Sequence, residues 1–391
     1  MSQTGPLPVV LVTGLHARSR RHVVDELLLA LPGSVAVRHD IRGSTGRNVR
    51  RVLRDRWGER ERTPVGEAGS CFSCALLRDL VPLLLDIAER GEDRLCVVET
   101  HGAVEPQTVA EALTLARSEG RPIAERLRLA AVVGAVHTGS LLTDLATTDT
   151  LADRGLGTAG DRRTVAEALA HQLEYPTVLA PHGTSSGTAP YEQCAALLSQ
   201  LNPAALVVEP DGAELAGLAD GTFDPLAARA RVDPVTAQPP TGLERARVRT
   251  VTWHRALPLH PGRLHAALDE LVATTLRSRG RFWLASRPDT LLVWDAAGAS
   301  LAVESAGPWA AALPGAAWEL LGEHRKASAG LDWTPAAGDR CQCLSFTGLD
   351  LDADRLLRVL DGCLLTEEER ADMSRFIPED DPFAAVLDTA A

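Results

Sequence analysis

Six short apolar runs constrain this chain more than any other feature. They are residues 7–12 (LPVVLV), 34–37, 95–98, 129–136, the run ending at Leu179, and 205–208, with longer amphipathic stretches between them. Unbroken apolar runs of this length read as strands buried on both faces, and strands alternating with helical segments read as a parallel sheet. The expected fold class is therefore α/β, with the helices flanking the sheet. Helices are expected at 23–31 (stopped by Pro32-Gly33), across the stretch that follows Cys71, near 107–117, from Asp161 as N-cap, and at 191–201. In such a sheet the carboxyl ends of the strands gather along one edge and face the ligand crevice. Thr13-Gly14 and Glu99-Thr100-His101-Gly102 stand at two of those ends.

With 391 residues the chain is long enough for two cores. Proline and glycine thicken between about 209 and 246, which divides it into 1–210, a linker 211–245, a smaller α+β domain 246–385, and a tail 386–391. No run approaches the roughly 18 apolar residues of a membrane span, and no signal peptide opens the chain, so a cytoplasmic protein without membrane contact is expected. A net charge of −12 argues against general or sequence-specific nucleic-acid binding. Seven cysteines, an odd number, read as thiols or ligands rather than disulfides.

The acidity is uneven: residues 18–62 hold twelve arginines against six acidic residues. Within them, 48–62 place Val49, Leu53 and Trp57 at helical spacing, so a helix is expected there. Arg50, Arg51, Arg54 and Arg56 then form either a solvated face or a docking face for an acidic or phosphate-bearing partner.

The motifs resemble those of the CobW-like family of P-loop GTPases, whose members handle zinc or cobalt. The family's C-x-C-C appears as Cys71-Phe72-Ser73-Cys74, with serine at the middle cysteine, and its E-x-x-G as Glu99 to Gly102. The second half matches more fully, through Leu257–Leu264, Arg277–Ala285, Leu360–Thr366 and Asp381-Pro382-Phe383. The resemblance implies a phosphate loop G-x-x-G-x-G-K-T after the first strand. Here Ala17 and Ser19 replace the later glycines, Arg20 the lysine and Arg21 the Mg²⁺ ligand, so only Gly14 is kept. The only lysine in the chain is Lys326, and no shift of register restores the motif. Where the family reads N-K-x-D for guanine, this chain has His182-Gly183-Thr184-Ser185. Phosphate cradling, Mg²⁺ ligation and guanine reading all lose their side chains. GTP with Mg²⁺ is therefore not expected to bind or turn over, although Arg18, Arg20 and Arg21 near a helix N-terminus remain able to hold an anion.

His16, His39, His101, His137 and His182 follow five successive strands and, with Cys71 and Cys74, offer nitrogen and sulfur suited to Zn²⁺. Polar loop residues that simply collect at that edge are the plain alternative. Cys71/Cys74 reads first as a metal contact or as two inert thiols, with a redox pair as the rival. Cys341 and Cys343, two apart on a strand, read best as core, as do Trp253, Trp283, Trp309 and Trp333. The resemblance implies a non-catalytic adaptor in the response to zinc limitation, of the kind tied to ribosome hibernation, acting through a protein or ribosome-associated partner. The alternatives are a GTP-binding zinc metallochaperone and a metal-binding protein using the Cys/His crevice alone.

Overall fold

The seven residues Leu7–Thr13 are all buried and form β1, the strand on which the N-terminal sheet is centred. The computed structural model describes residues 5–42, 48–66, 72–118, 120–183, 191–210, 214–238, 242–372 and 381–387. Expectations at Cys71, Thr184 and Ser185 lie outside those residues. The chain divides into two compact units, Met1–Arg229 and Ala230–Ala391.

In the first unit the elements run β1, α1 (Ala17–Ala30), β2 (Ser34–Arg42), β3 (Asn48–Asp55), β4 (Gly58–Gly66), α2 (Phe72–Arg90) and β5 (Leu95–Glu99). They continue with α3 (Pro106–Leu115), β6 (Leu127–His137), α4 (Leu141–Ala146), α5 (Val165–Glu174), β7 (Val178–His182), α6 (Tyr191–Leu201) and β8 (Leu206–Val207). The sheet order is β8-β7-β6-β1-β5-β2-β3-β4, parallel from β8 to β2 and antiparallel beyond. Leu11 lies beside Val98 and Val12 beside Glu99, so the ends of β1 and β5 come together as an α/β fold requires. Val10 and Val12 on one face of the sheet pack with Val23, Val24, Leu27 and Leu28 of α1. Their i, i+1, i+4, i+5 spacing makes one helical stripe.

Two sequence expectations are corrected here. Residues 48–62 are not a helix but the β3–β4 hairpin. Arg56-Trp57 forms its two-residue loop, Asp55 Oδ1 accepts from the backbone N–H of Trp57 and Gly58, and Gly58 sits at φ +138°. The helical spacing of Val49, Leu53 and Trp57 misleads because Trp57 is 84% exposed, while Val52 is buried with Val49 and Leu53. A strand that buries apolar side chains on both faces satisfies that pattern better than one helical stripe. The cap of α5 is Thr164 rather than Asp161: Thr164 and Glu167 close a capping box, while Asp161 binds Arg163.

The second unit is a six-stranded antiparallel sheet. Strands Val248–Arg255, Gln342–Leu349, Arg277–Phe282 and Thr290–Ala297 are successive neighbours in it. Helices Pro261–Ala273 and Ala353–Gly362 cover one face, over a core that includes Trp253, Phe282, Trp294 and Phe346. The buried indoles of that core keep their polar handles: Trp253 donates to Asp361 (2.8 Å) and Trp294 to Ser278 (2.8 Å). Leu291, Trp309, Cys341 and Cys343 make a smaller cluster on the other face. Trp333, expected in the core, is instead 49% exposed, stacked edge-on against Trp318 at the end of helix Glu323–Asp332.

Candidate functional site

The loop between β1 and α1 is shaped by Gly14, whose φ of +139° aims any Cβ at the carbonyl of Ala135 in β6. A second close approach lies opposite: a Cβ on Gly102 would stand 2.6 Å from Leu15 O. Gly102 lets the turns after β1 and β5 touch and Gly14 seats the first of them against β6, which is why this edge of the sheet can hold a tight polar cradle. Arg20, 5% exposed, fills its centre. Its Nη1 donates to the carbonyls of Gly14 (2.6 Å) and Leu15 (3.0 Å), and its Nε lies 3.7 Å from Glu99 Oε1. The guanidinium is thus turned inward onto the loop's own backbone. Burial lowers its pKa to about 10, with Glu99 opposing that shift. Burial also raises the pKa of Glu99, against the pull of Arg20.

Thr13 Oγ1, Ser19 Oγ, Arg20 Nε and Glu99 Oε2 are buried and have no hydrogen-bond partner among the described residues. Around them opens a cavity of about 290 Å³ lined by Arg20, Arg21, Arg38, Asp40, Glu99 and His101, among others. Arg21 is exposed at its edge, whereas Arg18, also exposed, is not part of that lining and sits instead near His137 and His182.

The five strand-end histidines separate into groups. His39 is buried and turns to α2, where Asp79 takes its Nε2 at 2.7 Å and also binds Arg51 at 2.8 Å. His101 packs edge-on against Phe72, and its Nδ1 accepts from the Ala103 N–H at 3.2 Å. Burial first and Arg20 second lower its pKa to about 4. His16, His137 and His182 gather on the other side of β1. His16 Nε2 meets Asp144 at 2.7 Å and Ser140 Oγ at 2.9 Å, and Ser140 Oγ meets His137 Nδ1 at 3.1 Å. The rings of His16 and His137 are 5.1 Å apart, and His137 and His182 are register partners on β6 and β7.

A fourth imidazole, His22, lies 3.9 Å from His182 and was not singled out by the sequence. The signal was there: His22 follows His16 by six residues, at the start of a helix rising from the same edge. Burial, together with the neighbouring imidazoles, lowers the pKa of His137 and His182, which favours neutral rings. Burial works to raise the pKa of Asp144, but hydrogen bonds from His16 and Ser140 hold it below the usual carboxylate range. Cys74 is an exposed thiol on the first turn of α2.

The arginines of the hairpin are mostly committed inside the unit. Arg51 binds Asp79 and Glu61, and Arg54 binds Asp25 of α1. Arg50 is exposed, and Arg56 lies over the exposed Trp57 ring at 4.9 Å.

Zinc chaperone Rv0106 of Mycobacterium tuberculosis is 31% identical to this chain over 389 residues, covering 96% of it and 92% of the relative. This chain belongs to the CobW-like family of P-loop GTPases. The cobalamin synthesis protein CobW C-terminal domain matches residues 248–364 of this CobW-like chain. The zinc-regulated GTPase metalloprotein activator 1 of Dictyostelium discoideum is 22% identical over 344 residues, covering 82% of the chain and 70% of the relative. The crystal structure of Zn(II)-bound YjiA GTPase from E. coli aligns with 93% of the chain and 100% of its own length, at 13% identity and a TM-score of 0.35. Among the described residues no helix is long and apolar enough to cross a membrane.

Proposed function

We propose that this CobW-like protein serves zinc homeostasis as a non-catalytic adaptor, acting through a protein partner that is ribosome-associated. The observation that carries the non-catalytic part is Arg20. A P-loop lysine reaches out to the β/γ-phosphates, whereas this guanidinium is hydrogen-bonded back onto Gly14 and Leu15 beside Glu99. Arg21 then sets an exposed cation where a hydroxyl would hold Mg²⁺, and like charge disfavours the ion. The residues present do not fit Mg²⁺-GTP, and the unpartnered polar atoms of the cradle suit water instead. The zinc part of the reading is supported by the names of the relatives, a zinc chaperone and a zinc-regulated GTPase activator. Ribosome hibernation and a cytoplasmic setting follow from the same reading.

Calorimetry with Mg²⁺-GTP is the test. Affinity no better than weak millimolar, about −4 kcal/mol, is expected; micromolar binding that needs Mg²⁺ overturns the reading. A pull-down from zinc-starved cells then identifies the partner.

A second reading, a metal-binding protein, is favoured by one observation: His16, His22, His137 and His182 gather on one side of β1. Metal content after purification from zinc-replete cells, compared between the wild type and His137→Ala, decides whether that group holds an ion.

A further inference from the structure

The other face of the C-terminal sheet carries a polar group that neither the nucleotide cradle nor the cysteine motif explains. His254, Cys343 and Arg281 are register partners across three neighbouring strands, so their side chains rise from one face. Cys341, two residues before Cys343, rises beside them, and Asp332 reaches in from the last residue of helix Glu323–Asp332. One donor atom each from His254, Asp332 and Cys341 lies within 4.8 Å of the other two.

The carboxylate of Asp332 is divided. Oδ1 meets His254 Nε2 at 3.1 Å, while Oδ2 takes the guanidinium of Arg281, whose Nε lies at 3.1 Å. Arg281 is anchored independently, since its Nη1 also donates to the carbonyls of Pro234 (3.3 Å) and Ala237 (3.1 Å). It can therefore fix the carboxylate from behind, the way an outer partner orients a metal ligand, with Oδ1 turned toward His254 rather than toward Arg281. Cys341 is fully buried and Asp332 nearly so, whereas His254 is half exposed and opens the group to solvent.

We infer that His254, Asp332 and Cys341 form a three-ligand site for a zinc-type divalent cation, with a fourth coordination position open. One imidazole nitrogen, one carboxylate oxygen and one thiolate are a donor set that zinc accepts. With metal–ligand bonds of roughly 2.0–2.3 Å, the donors of a tetrahedral site stand roughly 3.3–3.8 Å apart, so closing on an ion takes shifts on the order of 1 Å. The single proton of the neutral imidazole passes through solvent from Nε2, where it faces Asp332, to Nδ1, and the ion takes the place it leaves. The Cys341 thiol releases one proton to solvent as its sulfur binds. Three protein ligands leave the fourth position to water or an incoming ligand, unlike a closed structural site. The site goes beyond the adaptor reading and stands whether or not GTP binds.

The test uses the full chain, stripped of metal and carrying Cys71→Ser and Cys74→Ser so that the N-terminal thiols contribute nothing. Titration with Co²⁺ should produce a near-ultraviolet thiolate-to-cobalt band and the visible bands of a four-coordinate ion. His254→Ala, a change at a half-exposed side chain that leaves the core intact, should weaken binding at least tenfold. Cys341→Ala should abolish the thiolate band. Circular dichroism confirms that each variant is folded, and His254→Ala decides the matter if Cys341→Ala is not. Absence of a thiolate band in the parent, or unchanged affinity in His254→Ala, overturns the site.

Discussion

Arg20 and Glu99 show how much of this protein's chemistry turns on single buried groups. Removing one partner of a buried charged pair leaves the other without compensation, at a cost of about 3–5 kcal/mol. Arg20→Ala should approach that loss in urea unfolding at pH 7, because it also strips the donors from Gly14 O and Leu15 O. Arg20→Lys should recover part of it, since an ammonium still faces Glu99. Equal stability of Arg20→Ala and the wild type would show that the cradle is not held by this side chain.

His101 gives a pH signature. Its folded pKa of about 4 lies below the ordinary 6.5, so the unfolded chain takes the proton first as pH falls. The stability it contributes is complete above pH 6.5 and is lost toward pH 4, by up to about 3 kcal/mol. Protonation of Nδ1 would also remove the acceptor used by the Ala103 N–H. His101→Gln should flatten that part of the curve in denaturant titrations from pH 7 to pH 4; an unaltered slope would place the loss elsewhere. The replacement of a P-loop lysine by Arg20 was legible in the sequence, but its inward turn was not. The sequence shows which group is present, while its direction depends on which carbonyls the fold brings within reach.

At the scale of the element, the parallel strands were legible because burial on both faces leaves unbroken apolar runs, as at Leu7–Thr13 and Leu127–His137. The β3–β4 hairpin was not. Its apolar side chains are few, its arginines answer partners on α1 and α2 that are remote in sequence, and its turn signal is a lone Gly58. Gly58→Ala should cost about 1 kcal/mol through backbone strain, since none of the described residues crowds its Cβ; a neutral change would mean that the turn relaxes. The hairpin also revises how a docking face is tested. Arg51 and Arg54 fasten the strand, so neutralising them confounds binding with stability. Arg50→Ala with Arg56→Ala is the clean variant, expected to alter stability by about 0.5 kcal/mol or less per site. If both arginines contact phosphates of the partner, the log–log salt slope of the pull-down should fall by roughly 1.4, or 0.7 per contact. An unchanged slope removes the basic face from the adaptor reading.

For the whole molecule, the division of labour between the units sets what can be regained. Ala17→Gly, Ser19→Gly, Arg20→Lys and Arg21→Thr together rebuild a phosphate loop, yet GTPase activity should stay absent because His182-Gly183-Thr184-Ser185 offers no guanine reader. Phosphate release above background would show that the loop alone suffices. Of the groups with most chemistry in them, His16, His137 and His182 were legible as strand-end histidines, whereas how they group with His22, and the whole His254–Asp332–Cys341 triad, were not. Each is assembled from segments remote in sequence, by strand order and register that no local pattern encodes. His254 and Cys341 became neighbours only through the antiparallel pairing of Val248–Arg255 with Gln342–Leu349.

The strand order of the N-terminal sheet also decides how the protein behaves in a crowd. An unpaired strand offers a row of free amides and carbonyls to any passing chain. At one end the outermost strand, β8, has only two residues, too short to template a neighbour. At the other, β4 reads GERERTPVG, alternating charges followed by a proline that cannot donate. Cutting 43–66 out would leave β2 as a bare, nine-residue margin, and the shortened protein should self-associate where the intact one stays dispersed. Colloidal stability in this fold is thus a property of the hairpin that the sequence disguised as a helix.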